Sequence, residues 1–462
     1  MISRRELLKR IIFSHAAISA PAFNTITCLG LATSIANAED SVSDDYKALV
    51  CIFLFGGNDS YNMLIPTQAE EYDDYVRSRS DLALDIRNIH QPDVHAQVIP
   101  LTIDQRNLSG RHFAINSAAR GMGTLFNEGK LSFVANVGTL IEPTTLKQYR
   151  NRSVRLPSAL FSHNDQRDQW QKSPENTGWL GRATELLADT LPGGKFPSNI
   201  SLSGSNVMQT GLSGEPFSVT PQGPNKLINS SILDSTTRPS GDKSKHVLSR
   251  AYRNTDQLSE ERNRFYVQML GSSSNSITYP DSQLGHSLKT IARTIAARRM
   301  NNHKKQTFFV IAPGWDTHQD MITEHQQLLS GLSESLSTFY KDLQNLGVDK
   351  QVTTFTASEF GRTLRSNGRG TDHGWGGNSV VMGGAINGGQ ILGNYPETLL
   401  LGDGNDIGKN GRLLPSVSTD QYFAELLQWF GIQPSQLPLV LPNIGNFVSS
   451  NELSQHLGIF PA

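Results

Sequence analysis

Five short apolar runs, bounded by turn residues and separated by segments of helical period, constrain this chain more than any other feature. Ala48–Phe55 is continuously apolar and ends in Gly56-Gly57-Asn58-Asp59. Leu131–Val137, Thr307–Ile311, Gln351–Thr356 and a weaker Ser379–Met382 read as further strands. Runs of this length without polar alternation read as strands buried on both faces. Between them lie helical patterns at Ser117–Glu128, Leu284–Met300 and His325–Leu346, with a late helix at Asp420–Phe430. In the third of these, Leu328, Leu332, Leu336, Phe339 and Leu343 mark one face. Buried strands alternating with helices predict an α/β fold built on a mainly parallel sheet covered on both sides. Ligands of such sheets gather beyond the C-terminal ends of the strands.

The first 38 residues read as a targeting segment. Ser3-Arg4-Arg5-Glu6-Leu7-Leu8-Lys9 has the form of a twin-arginine signal, a modestly apolar stretch follows, and Ala36-Asn37-Ala38 offers a cleavage site. The apolar stretch contains Ser, Thr, His and Asn, too polar for a good membrane span, so no stable span is expected in the mature form. The expectation is a signal peptide over 1–38, the twin-arginine translocase as partner during export, and a periplasmic or otherwise exported product. Residues 42–462 then form a single domain, with a loop-rich insertion near 203–282 where Ser, Gly, Pro and Asn accumulate. Cleavage leaves one cysteine, Cys51, inside the first apolar run, where it reads as core. A formal net charge of -1 gives no electrostatic case for nucleic acid as a partner.

Polar clusters follow the apolar runs. Asp59 stands after the first, where a carboxylate can bind a cation or simply stabilise a turn. Phe161-Ser162-His163-Asn164-Asp165 lies beyond the second, although adjacent Ser and His side chains commonly diverge. After the third comes Gly314-Trp315-Asp316-Thr317-His318, in which Asp316 and His318, two residues apart on an extended segment, point to one side. His325, at the start of the next helix, reads as solvent-facing. Ser358-Glu359-Phe360-Gly361-Arg362-Thr363 and Thr371-Asp372-His373-Gly374 follow the fourth run. Arg362 is placed to grip a phosphate or sulfate. Asp316, His318, Glu359, Asp372 and His373 converge as candidate metal ligands.

Gly-Gly-Asn-Asp-Ser at 56–60, Gly-Trp-Asp-Thr-His at 314–318, Ser-Glu-Phe-Gly-Arg-Thr at 358–363 and Asp-His-Gly-Trp-Gly-Gly at 372–377 resemble family 1501 of the bacterial domains of unknown function. The resemblance runs from about Ala48 to the C-terminus. That family is a distant relative of the alkaline phosphatase and sulfatase superfamily. The resemblance therefore implies an alkaline-phosphatase-like three-layer sandwich with metals at the strand ends. It implies that Asp59, Asp316, His318, Glu359 and His373 hold a divalent metal such as Zn, Ca or Mg. It places Ser162 in the region of the nucleophile, with Ser60 as competitor. The chain departs from the superfamily pattern in two ways: one residue rather than three separates Asp316 from His318, and Phe360 stands where a second metal's His belongs. The expected activity is metal-dependent hydrolysis of a small phosphate or sulfate ester, with Arg362 holding the anion. The alternatives are a non-catalytic cell-envelope protein that keeps the fold, and a phosphomutase or transferase.

Overall fold

The computed structural model describes residues 46–87, 96–102, 110–171, 176–188, 196–224, 247–273, 277–449 and 456–461. The segment read as a signal peptide lies outside them. β1 (Lys47–Leu54) is followed by a small antiparallel sheet of β2 (Leu64–Pro66), β3 (Val98–Pro100) and β4 (Phe113–Asn116). Next come β5 (Leu131–Gly138), β6 (Asn199–Ser201), β7 (Phe217–Thr220) and β8 (Gly223–Pro224). β9 (Lys305–Ala312) and β10 (Val352–Ser358) precede a two-stranded ribbon of β11 (Arg362–Ser366) and β12 (Thr371–His373). β13 (Gly377–Gly383), β14 (Ile391–Gly393) and β15 (Val417–Ser418) complete the strands.

Ten of these strands form one sheet in the order β14-β5-β13-β10-β1-β9-β6-β7-β8, with β15 added beside β5. β1 lies between β10 and β9 and is parallel to both. β6, β7, β14 and β15 also pair in parallel. β13 runs antiparallel between β10 and β5. Its connection from β10 is the short β11–β12 ribbon rather than a crossover helix, and a parallel return needs the longer path. The loop-rich stretch near 203–282 holds β7, β8 and a 26-residue helix, Val247–Ser272.

The two faces of β1 show why its sequence is continuously apolar. Ala48, Val50, Ile52 and Leu54 pack into one core with residues of the helices Arg120–Asn127, Gln283–Ala296 and Met321–Asn345. Leu49, Cys51 and Phe53 pack into the opposite core with the helices Trp179–Ala188 and Thr419–Phe430. The result is a three-layer α/β sandwich. Cys51 is buried and free, as a core cysteine should be.

At the C-terminal edge of the sheet β1 turns through Gly56 and Gly57. Gly56 has φ +117°, and a Cβ there would stand 2.2 Å from the Asp316 amide nitrogen. Gly57 has φ +90°, and a Cβ would meet the Phe360 ring at 2.5 Å. Only glycine permits both the dihedral and the approach. Gly56→Ala should therefore cost at least about 1–3 kcal/mol of folding stability. Urea unfolding of the variant tests this, and an unchanged midpoint would contradict the close packing of the two loops.

Candidate active site

Three strand ends and a helix start meet above this edge. After β9 the chain turns through Pro313-Gly314, and the Trp315 amide donates to the Phe55 carbonyl at 2.9 Å. That bond ties the 315–318 loop to the end of β1 and sets Asp316 and His318 over it. In the β11–β12 ribbon Arg362 and His373 are register partners, so both reach the same place. His163 is the first residue of the helix His163–Gln171.

Asp316 is the hub. Its Oδ1 lies 2.6 Å from Arg362 Nη1, 3.0 Å from His318 Nε2 and 3.2 Å from His373 Nε2. Its Oδ2 lies 3.4 Å from His163 Nε2. Partial burial pushes the Asp316 carboxyl up, but the Arg362 hydrogen bond and charge, with His318 and His163, bring it below the usual value. It is therefore ionised at neutral pH.

Two histidines have their tautomers set from behind. His163 Nδ1 lies 2.5 Å from Oε2 of buried Glu359, which also accepts the Gly56 amide at 3.0 Å. His373 Nδ1 donates to the Phe161 carbonyl at 2.8 Å. With Nδ1 of each ring bonded on its far side, the two Nε2 atoms face the Asp316 carboxylate. Burial, together with the charges of Arg362 and His163, keeps the His373 imidazole below its ordinary pKa, against the opposing pull of the Phe161 carbonyl and Asp316. His163 Nε2, His373 Nε2 and the Asp316 carboxylate thus converge, and His318 Nε2 stands 3.0 Å from both His373 Nε2 and Asp316 Oδ1. One donor atom each from His163, Asp316 and His373 lies within 4.8 Å of the others. Two ligands about 2.0–2.1 Å from a tetrahedral ion stand about 3.3 Å apart, close to the 3.2 Å and 3.4 Å contacts found here. The donor set fits a divalent metal. Phe360 braces it, stacked on His373 at 4.4 Å between ring centroids and 5.0 Å from His163.

The residues singled out in the sequence fall into different places. Asp316, His318 and His373 come together. Asp372 stands at the exposed margin, 3.4 Å from His318 Nδ1. Glu359 lies behind His163 rather than in the open cluster. Asp59 is elsewhere: its Oδ2 takes Arg79 Nη2 at 2.8 Å, with both side chains fully buried, and the Thr371 hydroxyl at 3.2 Å. That carboxylate is sealed from solvent with Arg79, apart from the open cluster, and its Oδ1 has no hydrogen-bond partner among the described residues. Arg362, expected as the anion clamp, is buried, and its donors go to Gly56, Asp316 and Thr371. It positions Asp316 instead. The Ser162 hydroxyl donates to Asp165 at 2.6 Å in the first turn of its helix. Ser60 is buried, and its hydroxyl accepts the Asn378 amide. The role of His163 had no signal beyond its place in a polar string, because its partners lie about two hundred residues away.

His325, read as solvent-facing, is buried against Trp315 and bonded to Asn58 at 3.0 Å. The helix starts at Met321, a turn before the pattern suggested, and His325 lies on its buried face, one turn before Leu329 and two before Leu332. Burial pulls its pKa down to about 4. In the unfolded chain it titrates near ~6.5, so between these values the unfolded state binds more protons and stability falls as pH drops. This one group removes up to about 3 kcal/mol by pH 4. Burial raises buried Asp420 to about 6, and that group works in the opposite sense. Chemical unfolding at pH 4.5 and 7.5 isolates the histidine: His325→Asn should narrow the gap seen in the wild type, and an unchanged gap would contradict a neutral buried imidazole.

Comparison with known proteins gives a family and remote structural likenesses. The family described as "Protein of unknown function (DUF1501)" matches residues 46–402. No curated protein matches the chain. Among solved structures, PsFucS1 sulfatase from Pseudoalteromonas sp. is similar at 11% identity and TM-score 0.33, over 90% of this chain and 73% of that one. Ps i-CgsB is similar at 9% identity and TM-score 0.32, over 90% and 75%. By the length of its family match, this chain is a member of the DUF1501 family.

Proposed function

We propose that this protein is an exported metal-dependent hydrolase of small phosphate or sulfate esters, with His163, Asp316 and His373 holding one divalent ion. The convergence of two histidine Nε2 atoms on an ionised carboxylate carries the reading. Two imidazoles and a carboxylate suit zinc better than calcium or magnesium, which favour all-oxygen sites. Such an ion supplies Lewis acidity and lowers the pKa of bound water. The chain supplies the rest. Arg362 holds Asp316 in place and keeps it ionised. Glu359 orients His163. His318, half-exposed at the mouth beside Asp372, can carry a proton at Nε2 toward a leaving oxygen. The pairing of Asp59 with Arg79 and the phenyl ring of Phe360 argue for one ion rather than two.

Export by the twin-arginine route and a periplasmic destination belong to the same proposal. They rest on Ser3–Lys9 and Ala36–Ala38, which lie outside the described residues. Among the described residues no helix is long and apolar enough to cross a membrane. A non-catalytic envelope role is the second reading. One observation favours it: Arg362, the expected anion clamp, is turned inward.

Metal analysis of the purified mature protein, with aryl-phosphate and aryl-sulfate assays, separates the two. The catalytic reading predicts about one zinc per chain and turnover that falls by more than about 10²-fold in Asp316→Ala. Glu359→Gln should weaken zinc binding by about 10–100-fold while leaving the ligands themselves intact. Metal-free wild-type protein, or turnover unchanged in Asp316→Ala, would sink this reading.

A further inference from the structure

An ester hydrolase must hold its anionic group, and Arg362 is not free to do so. A second arginine, Arg412, contacts the residues that hold His373. Arg412 comes from the glycine-rich loop before β15 and is partly buried. Its guanidinium lies 4.1 Å from the centroid of the Phe161 ring. Its Nε donates to the His373 carbonyl at 2.9 Å. Both supports belong to the candidate centre, because the Phe161 carbonyl holds His373 Nδ1 and the His373 ring faces Asp316.

The two contacts use the face of the guanidinium and one of its five N–H groups. Among the described residues no carboxylate lies within ion-pair distance of Arg412, and Nη1 and Nη2 have no hydrogen-bond partner. The cation is thus held in position with its terminal fork open, and little side-chain entropy remains to be lost when it binds. Other exposed arginines near the ribbon, such as Arg365 and Arg369, have no comparable side-chain supports. A planar fork of this kind matches the oxygen pairs of a tetrahedral oxyanion.

We infer that Arg412 is the oxyanion-binding residue of this site, gripping the sulfate or phosphate group of the substrate through Nη1 and Nη2. The inference deepens the hydrolase reading and rests on it for the word substrate, but anion binding can be measured without turnover.

Calorimetric titration of the full mature chain with inorganic phosphate and with inorganic sulfate tests it, with and without added zinc. Arg412→Met keeps an aliphatic stem over Phe161 and deletes the charge. It should weaken the preferred anion by about 10–100-fold, the scale of charge-assisted hydrogen bonds. Arg412→Lys keeps the charge without the fork and should fall between. Arg87→Met, remote and exposed, should bind as the wild type does. Thermal unfolding of each variant shows whether the fold is retained, and the lysine variant serves if the methionine variant is unstable. Wild type that binds neither anion, or Arg412→Met and Arg412→Lys that bind as tightly as wild type, would overturn the assignment. Arg412-dependent anion binding in a protein without metal or turnover would keep this inference and remove the hydrolase.

Discussion

The geometry of the site depends on one buried contact, the Arg362–Asp316 pair. A guanidinium with no exposed surface must have its donors satisfied, and here the Gly56 carbonyl, Thr371 and the Asp316 carboxylate do so. Those partners come from the end of β1, the β11–β12 ribbon and the loop after β9. One side chain therefore ties together three segments far apart in sequence. The bond also fixes the charge state of Asp316, the atom group on which the three histidines converge. A buried pair of this kind is an uncertain source of stability, since desolvation opposes its attraction. Its value here is positional.

Two buried arginines give the two aspartates at this edge different surroundings. Asp59 and Asp316 stand at the ends of neighbouring strands and are matched to Arg79 and Arg362 respectively. The Asp59–Arg79 pair is sealed from solvent, whereas Asp316 keeps about two-fifths of its side chain exposed. Only Asp316 can serve both an arginine inside and a ligand outside. Phe360 fills the adjacent space with a ring that packs on Gly57 and on both Nε2-presenting histidines.

Much of this was legible in the chain. The Ala48–Phe55 run, apolar at every position, required burial on both faces, and β1 is the central strand with a core on each side. Asp316, His318 and His373 were placed beyond strand ends by position alone, and the structure brings them together. The direction of β13 was not legible, because apolar periodicity carries no strand polarity. Nor was the division of labour among charged residues. Arg79, Arg362 and Arg412 look alike in sequence, and only their surroundings separate a buried counter-ion, a positioning group and an open fork. His163 was hidden for the same reason: its meaning comes from Glu359 and Asp316, which tertiary folding alone supplies.

The central claim is that His163, Asp316 and His373 form one metal-binding unit. A crystal structure of the mature protein with zinc, phased on the zinc anomalous signal, tests it most directly. The account predicts one ion bonded to Nε2 of His163, Nε2 of His373 and a carboxylate oxygen of Asp316, with Glu359 outside the coordination sphere and Asp59 still on Arg79. An ion bound at Asp59, an ion ligated by Glu359, or zinc absent from the His163–Asp316–His373 cluster would contradict it.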